Sequence, residues 1–109
     1  MMNETLAFTA LTSSGQAYDI DFPLHPATRS ADGVSDLLTA LLDCLSQHLD
    51  GRRHNLSDGD VLQALAMTLA IRARMTGPDP DAIEKLVVDL FSKAHAATRN
   101  ATPYAMGRA

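Results

Sequence analysis

The chain has 109 residues, of which 46% are hydrophobic and 20% are charged, and its formal net charge is −4. This length suits one domain, and this composition is typical of a chain that folds around a core rather than one that stays disordered. The apolar runs are too short to span a membrane, and the N-terminus lacks the basic segment of a signal peptide. We therefore expect a cytoplasmic protein that does not bind membranes, and the single cysteine excludes an intrachain disulfide.

The negative charge is concentrated in the first half of the chain. Residues 1–50 hold seven acidic side chains and one arginine, a net charge of −6, whereas residues 51–109 hold six acidic and eight basic side chains. An acidic half repels the phosphates of nucleic acids and favours a basic protein partner, although an ordinary solvated surface explains the same charges. We expect no binding to nucleic acid.

The N-terminal segment alternates between apolar and polar residues, as a half-buried β-strand does. Turn residues at 13–16 separate two such stretches, so we predict a β-hairpin over residues 4–12 and 17–22, which Pro23 ends. An isolated hairpin is marginally stable, and its apolar face must therefore pack on helices or join a larger sheet. The apolar residues of matching parity are Leu6, Phe8, Ala10, Tyr18, Ile20 and Phe22.

The period of the apolar residues changes to that of an α-helix after residue 33. Their stripe predicts a first helix over about residues 33–50 with one apolar face and one polar face. Ser30 or Asp32 can cap its N-terminus, and Gly51 stands where a helix often ends in a left-handed residue. The stripe consists of Val34, Leu37, Leu38, Leu41, Leu42, Leu45 and Leu49.

A second helix is predicted over about residues 57–76, from a capping-box pattern at Ser57 and Asp60 to the Gly77-Pro78 breaker. Apolar residues occupy two of its sides. A helix that is apolar on almost all sides is a central one, surrounded by neighbours, and we expect a homodimer to cover its second face. One side holds Val61, Leu62, Leu65 and Leu69, and the other holds Ala64, Met67, Ile71 and Met75.

A third helix is predicted over about residues 80–98. Asp79 suits the N-cap, and Pro80 and Asp81 suit the first turn, which favours proline and acidic side chains. Residues 100–109 look frayed or disordered, so that residues 1–99 form the single domain. The expected fold class is mainly α, a small α+β protein in which a β-hairpin precedes three helices.

The sequence contains no signature of a metal site or of a catalytic site. A zinc site needs three or four ligands, and Cys44, His48 and His54 have no second Cys or His cluster nearby. We expect His48 to be a packed histidine near the end of the first helix. No serine or histidine stands in a triad context, and no glycine-rich phosphate loop follows a strand. We therefore expect no enzymatic activity, no cofactor and no metal.

Two features suggest anion binding, and acidic side chains oppose both. Arg52-Arg53-His54 precedes the second helix, where free backbone amides attract anions, but Asp58 and Asp60 already occupy that end. The second and third helices superficially resemble a helix-turn-helix. The N-terminus of the would-be recognition helix, however, carries Asp79, Asp81 and Glu84, which DNA would repel.

Arg72 lies at the same helical angle as Val61 and Leu65, on an otherwise apolar face. It either pairs with a carboxylate across an interface or extends to water with its stem packed, and we favour the second interpretation. Both the second helix and the hairpin stay open as the dimer interface. The candidate interface residues are Ala64, Met67, Ile71, Met75 and Arg72 on the helix, and Phe8, Tyr18, Ile20 and Phe22 on the hairpin.

These features favour a non-enzymatic interaction or regulatory protein, a homodimer that binds and masks another protein such as a transcription factor. One alternative is a carrier or secretion-chaperone-like protein that binds an extended client segment by adding it to the hairpin edge. Another alternative is a domain that binds a small molecule.

Overall fold

The computed structural model describes residues 4–11, 16–49 and 55–105, and the elements appear in the predicted order. The fold class is confirmed, because a β-hairpin precedes three helices. Gly51 and the Arg52-Arg53-His54 segment lie outside the described residues, together with the anion, metal and capping expectations that involve them. The elements are β1 (Thr5–Leu11), β2 (Gln16–Pro23), α1 (Ala31–Leu49), α2 (Asp58–Arg74), α3 (Pro80–Arg99) and β3 (Thr102–Ala105).

The hairpin places its apolar residues on one face, as the alternation predicts. β1 and β2 are antiparallel, and their register brings the apolar residues of the two strands opposite one another. The rings of Phe8 and Phe22 on this face lie 6.5 Å apart between centroids. The facing pairs are Leu6 with Phe22, Phe8 with Ile20, and Ala10 with Tyr18.

The hydrogen bond at the open end of the hairpin shows which residue pairs of β1 and β2 are hydrogen-bonded. The Leu24 N–H donates to the Glu4 carbonyl oxygen at 2.9 Å. Because bonded and non-bonded pairs alternate in an antiparallel ladder, Thr5 and Pro23 form a non-bonded pair. Pro23, which lacks an N–H, therefore costs the ladder nothing and forms the last pair of β2 instead of lying beyond it.

The expectation of a frayed C-terminal tail is wrong for residues 102–105. These residues form β3, which runs antiparallel to β2 from the Asp19–Thr102 pair to the Gln16–Ala105 pair. The strand order is β1-β2-β3, so β2 is the central strand. The second edge of β2 offers backbone groups that need partners, and the returning chain satisfies them despite its weak local strand pattern. Residues 106–109 lie outside the described part.

Each helix begins at the predicted cap. For α1 the cap is Ser30, because the Gly33 N–H donates to Ser30 Oγ at 2.9 Å. For α2 the capping box is complete, with the Asp60 N–H donating to Ser57 Oγ and the Ser57 N–H donating to Asp60 Oδ2, both at 3.1 Å. For α3 the N–H of Asp81 donates to Asp79 Oδ1 at 3.1 Å.

The contacts divide the chain into two compact units. The first comprises Met1–Ser35 and Asp89–Ala109 and contains the sheet, and the second is Asp36–Val88 and contains α2. The buried hydrophobic residues of the described chain, Ala17 and Ile20, both lie in β2. No residue of α1, α2 or α3 is buried in a single copy. The prediction of one domain over residues 1–99 stays a prediction.

Candidate protein-interaction surface

The α2 helix exposes large apolar side chains along its whole length. Three of them belong to the side predicted to bind a second copy, and the exposed fractions are 56% for Met67, 65% for Ile71 and 70% for Met75. Ala64, on the same side, is also exposed. We call these four residues the Met67 face. The exposed large apolar residues of α2 and its C-cap are Leu62, Leu65, Met67, Leu69, Ile71 and Met75.

The Met67 face is continuous because its residues are three or four positions apart, which stacks them on one side over three helical turns. The three large residues of the Met67 face present on the order of 400 Å², if a fully exposed side chain of this size has about 200 Å². The largest apolar patch of a typical monomer has roughly 300–600 Å², whereas one side of a stable protein interface has about 800 Å². The Met67 face is therefore as large as the largest apolar patch of a typical monomer, and it supplies about half of one side of a stable interface.

The Met67 face points away from α3. A groove of about 420 Å³ lies between α2 and the first part of α3. At about 100° per residue, its alanines on α2 are turned roughly 145° from the Met67 face. The Met67 face is therefore left without cover from the first part of α3, residues 80–88. The groove is lined by Ala66, Leu69, Ala70, Ala73 and Arg74 of α2 and by Pro80, Ile83, Glu84, Val87 and Val88.

The turn between α2 and α3 contains Gly77, whose φ is +67°. Residues with a Cβ rarely adopt this left-handed conformation. A Cβ on Gly77 would lie 3.8 Å from Ile83 Cδ1, which is an ordinary contact distance. The backbone conformation, and not a lack of space, therefore requires glycine at the position that directs α3 along the alanine side of α2.

Arg72 makes a local interaction at the C-terminal end of α2. Its guanidinium Nη1 donates to Thr76 Oγ1 at 3.1 Å, and Thr76 Oγ1 donates to the Arg72 carbonyl oxygen at 3.0 Å. The side chain is exposed. This geometry favours the interpretation in which Arg72 extends to water beside the interface rather than supplying a buried ion pair.

The hairpin candidates are less available than the Met67 face. Phe8, Tyr18 and Phe22 are half-buried, and Ile20 is buried with 7% exposed. The structure brings these four side chains together on one face of the sheet, as predicted. Because most of their surface is already covered, the hairpin face is the weaker candidate for a dimer interface.

The apolar stripe of α1 is largely exposed. Leu37, a member of this stripe, is 61% exposed. The 3.6-residue period shows which side of a helix is apolar and contains no information on what covers that side. Sequence reasoning had no signal for this. The exposed members of the stripe are Val34, Leu37, Leu41, Leu42 and Leu49.

The described residues hold little chemistry beyond these surfaces. They contain no group of three or more His, Cys, Asp and Glu side chains that could hold a metal ion. Cys44 and His48 are both exposed on α1, whereas the sequence predicts a packed His48. None of the helices in the described part of the chain combines the length and the apolar character needed to cross a membrane.

The fold is that of a small α+β protein, with three helices inserted between the second and third strands of an antiparallel sheet. No family model, no curated protein and no solved structure matches this chain.

Proposed function

We propose that this protein is a non-enzymatic interaction protein of the cytoplasm, which forms a homodimer through the Met67 face and regulates another protein by covering part of its surface. The observation that supports this proposal is the exposure of Met67, Ile71 and Met75, each more than half exposed, on the side of α2 turned away from α3. Apolar surface of this extent on one helix is characteristic of an interaction site.

A second copy is the occupant that fits the Met67 face best. A two-fold axis beside α2 would bring the same face of each copy together, and an isologous interface needs only one self-complementary patch. Its four residues are uncharged, and the charged residues at the same helical angle, Asp60 and Arg74, lie at the two ends of the face, so that the middle of the interface buries no unpaired charge. Its two methionines have flexible side chains that adapt to one another in such a contact.

The charge of the first half of the chain supports a basic partner protein. The described acidic side chains within residues 4–49 are all exposed. Arg29 is the only lysine or arginine in this range of the sequence. A surface of one sign attracts a partner of the opposite sign and raises the rate of association.

The experiment that tests the dimer is sedimentation equilibrium of the wild-type protein and of two variants. We expect the wild type, with a chain of 11.7 kDa, to sediment at twice that mass. The Ile71→Glu variant should be a folded monomer, because a buried carboxylate in each copy disfavours association. Gln47→Glu, on the polar side of α1, is the matched control and should stay dimeric.

Circular dichroism of each variant separates loss of association from loss of folding. If Ile71→Glu unfolds, Ile71→Ala provides the milder test and should raise the dissociation constant while the helix content is retained. A monomeric wild-type protein, or a folded Ile71→Glu dimer with wild-type affinity, would contradict the proposal.

A second candidate function is the binding of a small apolar ligand, which the groove between α2 and α3 favours. Its volume of about 420 Å³ lies in the range of known ligand sites, and its lining is largely apolar. A fluorescent apolar probe such as anilinonaphthalene sulfonate should bind there in the wild type. The Ala70→Leu variant, which fills the groove, should lose that binding while keeping the dimer, and unchanged probe binding would reject this candidate.

A further inference from the structure

The two edges of the sheet differ in their protection. Among the described residues, β1 pairs only with β2, and β3 also pairs only with β2, so each forms an edge. Proteins protect edge strands by making them short and by placing proline or charged residues in them. β3 has four residues including Pro103, whereas the seven residues of β1 contain neither proline nor a charged side chain. The β1 edge is therefore the open one.

The backbone groups that point outward from β1 can be named. Because Glu4 and Leu24 form a hydrogen-bonded pair, the even-numbered residues of β1 bond to β2. Thr5, Ala7 and Thr9 accordingly direct their N–H and carbonyl groups away from β2. This row is the template on which an additional strand can form.

We propose that the β1 edge accepts an extended segment of a partner protein as an additional strand, and that this segment alternates apolar side chains with lysine or arginine. The inference rests on the proposed function, since it specifies the partner that such an interaction protein would bind. It identifies the partner by its chemistry, an amphipathic basic strand.

One face of the added strand would continue the apolar face of the sheet. Successive side chains of a strand point to opposite faces, so every second residue of the segment would lie beside the row of Leu6, Phe8 and Ala10. These three residues are only half-buried. Apolar side chains at those positions of the partner would complete their cover.

The opposite face explains the preference for basic residues. There Ala7 faces Asp21 across the β1–β2 pair, and both residues are exposed. Alanine is too short to cover the carboxylate, so a long side chain from the far side of β1 can pass over Ala7. The backbones of β2 and of an added strand would be about 9–10 Å apart. A lysine or arginine can therefore reach Asp21.

Asp19 is less available than Asp21 to a basic side chain of the added strand, because its carboxylate already has a partner on β1. Thr9 Oγ1 donates to Asp19 Oδ1 at 2.8 Å, which also shows that side chains of neighbouring strands meet on this face. Asp21 has no such bond to a described residue. Asp21 is therefore the carboxylate that a basic side chain of the partner can bind, and we call the space over Ala7 beside it the gap of this edge.

Charge also favours a basic partner segment over a second copy of β1 as the strand that binds this edge. Two β1 strands can pair about a two-fold axis with their apolar faces aligned, but β1 contains no basic side chain. Self-pairing would leave Asp21 unpaired in both copies, whereas a basic strand satisfies it. The acidic side chains around the edge favour the basic partner further.

The test measures the binding of a labelled seven-residue peptide of alternating lysine and valine by fluorescence anisotropy. A peptide with glutamate in place of each lysine is the matched control. The wild-type protein should bind the lysine peptide at least several-fold more tightly than the glutamate peptide. The Asp21→Asn variant should bind the lysine peptide about two- to fivefold more weakly, as expected for one partly exposed charge pair. Asp21→Lys should reverse the preference between the two peptides.

A second variant tests the edge itself. Ala7→Pro removes an outward N–H while the bonds to β2 remain, so it should abolish peptide binding in a folded protein. If it unfolds, Ala7→Lys fills the gap instead and should weaken binding of the lysine peptide. Asp36→Asn, an equal change of charge on α1, should bind like the wild type. Equal binding of both peptides, or normal binding by folded Ala7→Pro, would overturn the inference.

The failure of this inference is distinguishable from that of the proposed dimer. A folded wild-type dimer that binds neither peptide overturns the edge site and leaves the Met67 interface intact. A wild-type monomer that binds the lysine peptide overturns the dimer and leaves the edge site intact. If Ala7→Pro alone converts the dimer to a monomer, the edge pairs with a second copy and the inference is wrong.

Discussion

The apolar face of the hairpin is covered, whereas the apolar residues of α2 are exposed. In the hairpin the six apolar residues of even number, from Leu6 to Phe22, share one face, and each of them is buried or half-buried. In α2 they occupy two sides, and none is buried in a single copy. The difference is large for comparable side chains, since Ile20 is 7% exposed and Ile71 is 65% exposed.

This contrast shows that the placement of apolar side chains on one face and the burial of that face have different causes. A repeating pattern determines which side chains share a face, because it follows from the period of the strand or the helix. Burial requires a second surface, which the pattern of the element does not contain. The sheet obtains that cover within one copy, and we infer that α2 obtains it from another.

The largest expected effect comes from making the same substitution in both regions. Ile20→Ala should destabilise the protein by about 2–4 kcal/mol, because it removes a buried side chain and leaves a cavity. The midpoint of its urea-induced unfolding should drop equally at low and high protein concentration. Ile71→Ala should act through association instead, so that its destabilisation depends on protein concentration.

The two isoleucine variants also provide each other's control, because the substitution is identical and only its place differs. If Ile71→Ala destabilised the protein as much as Ile20→Ala at every concentration, then α2 would be covered within a single copy. The comparison between the two regions would then fail.

The sequence predicted the parts of the fold that depend on local patterns. The ends of α2 and α3 follow from Ser57, Asp60 and Asp79, whose side chains bond to nearby backbone amides. The register of the hairpin follows from the parity of its apolar residues, since a shift by one residue would turn them to the other face. These are interactions between residues close in the chain.

The parts that the sequence missed depend on distant residues. β3 lies near the end of the chain and pairs with β2, which lies near its beginning. Pro103 in β3 is a residue that disfavours strands, so the local sequence does not indicate one. The choice between the two hairpin edges depended on β3 in turn, because it covers β2 and leaves β1 open. The Met67 face was found from its period, but the exposure of the α1 leucines was not, because the period is the same for covered and uncovered faces.

A smaller effect is expected at the helix caps, and it sharpens the comparison between the units. Ser57→Ala should destabilise α2 by about 0.5–2 kcal/mol, because it removes the Oγ that accepts from the Asp60 N–H and keeps the bond from the Ser57 N–H to Asp60 Oδ2. Ser30→Ala should have a similar cost, about 0.5–2 kcal/mol, because Ser30 Oγ also accepts one bond, from the Gly33 N–H. Urea unfolding at one fixed protein concentration measures both. A variant that loses no stability would show that its serine does not stabilise the helix.

The smallest effect is expected for the ion pair between Asp89 and Lys93 on α3, where the carboxylate and the ammonium lie 3.1 Å apart. Both side chains are about half exposed, and such pairs on a helix contribute roughly 0.3–0.5 kcal/mol at low salt. Lys93→Gln should therefore lower the unfolding midpoint slightly in 20 mM salt, and the difference from the wild type should vanish near 1 M salt. The high-salt measurement is the internal control, because a packing defect would persist there. A loss above about 1 kcal/mol that salt does not reduce would mean that the Lys93 stem is part of a packed surface. A small, salt-sensitive loss would instead agree with helices whose stability depends on their apolar faces rather than on their surface charges.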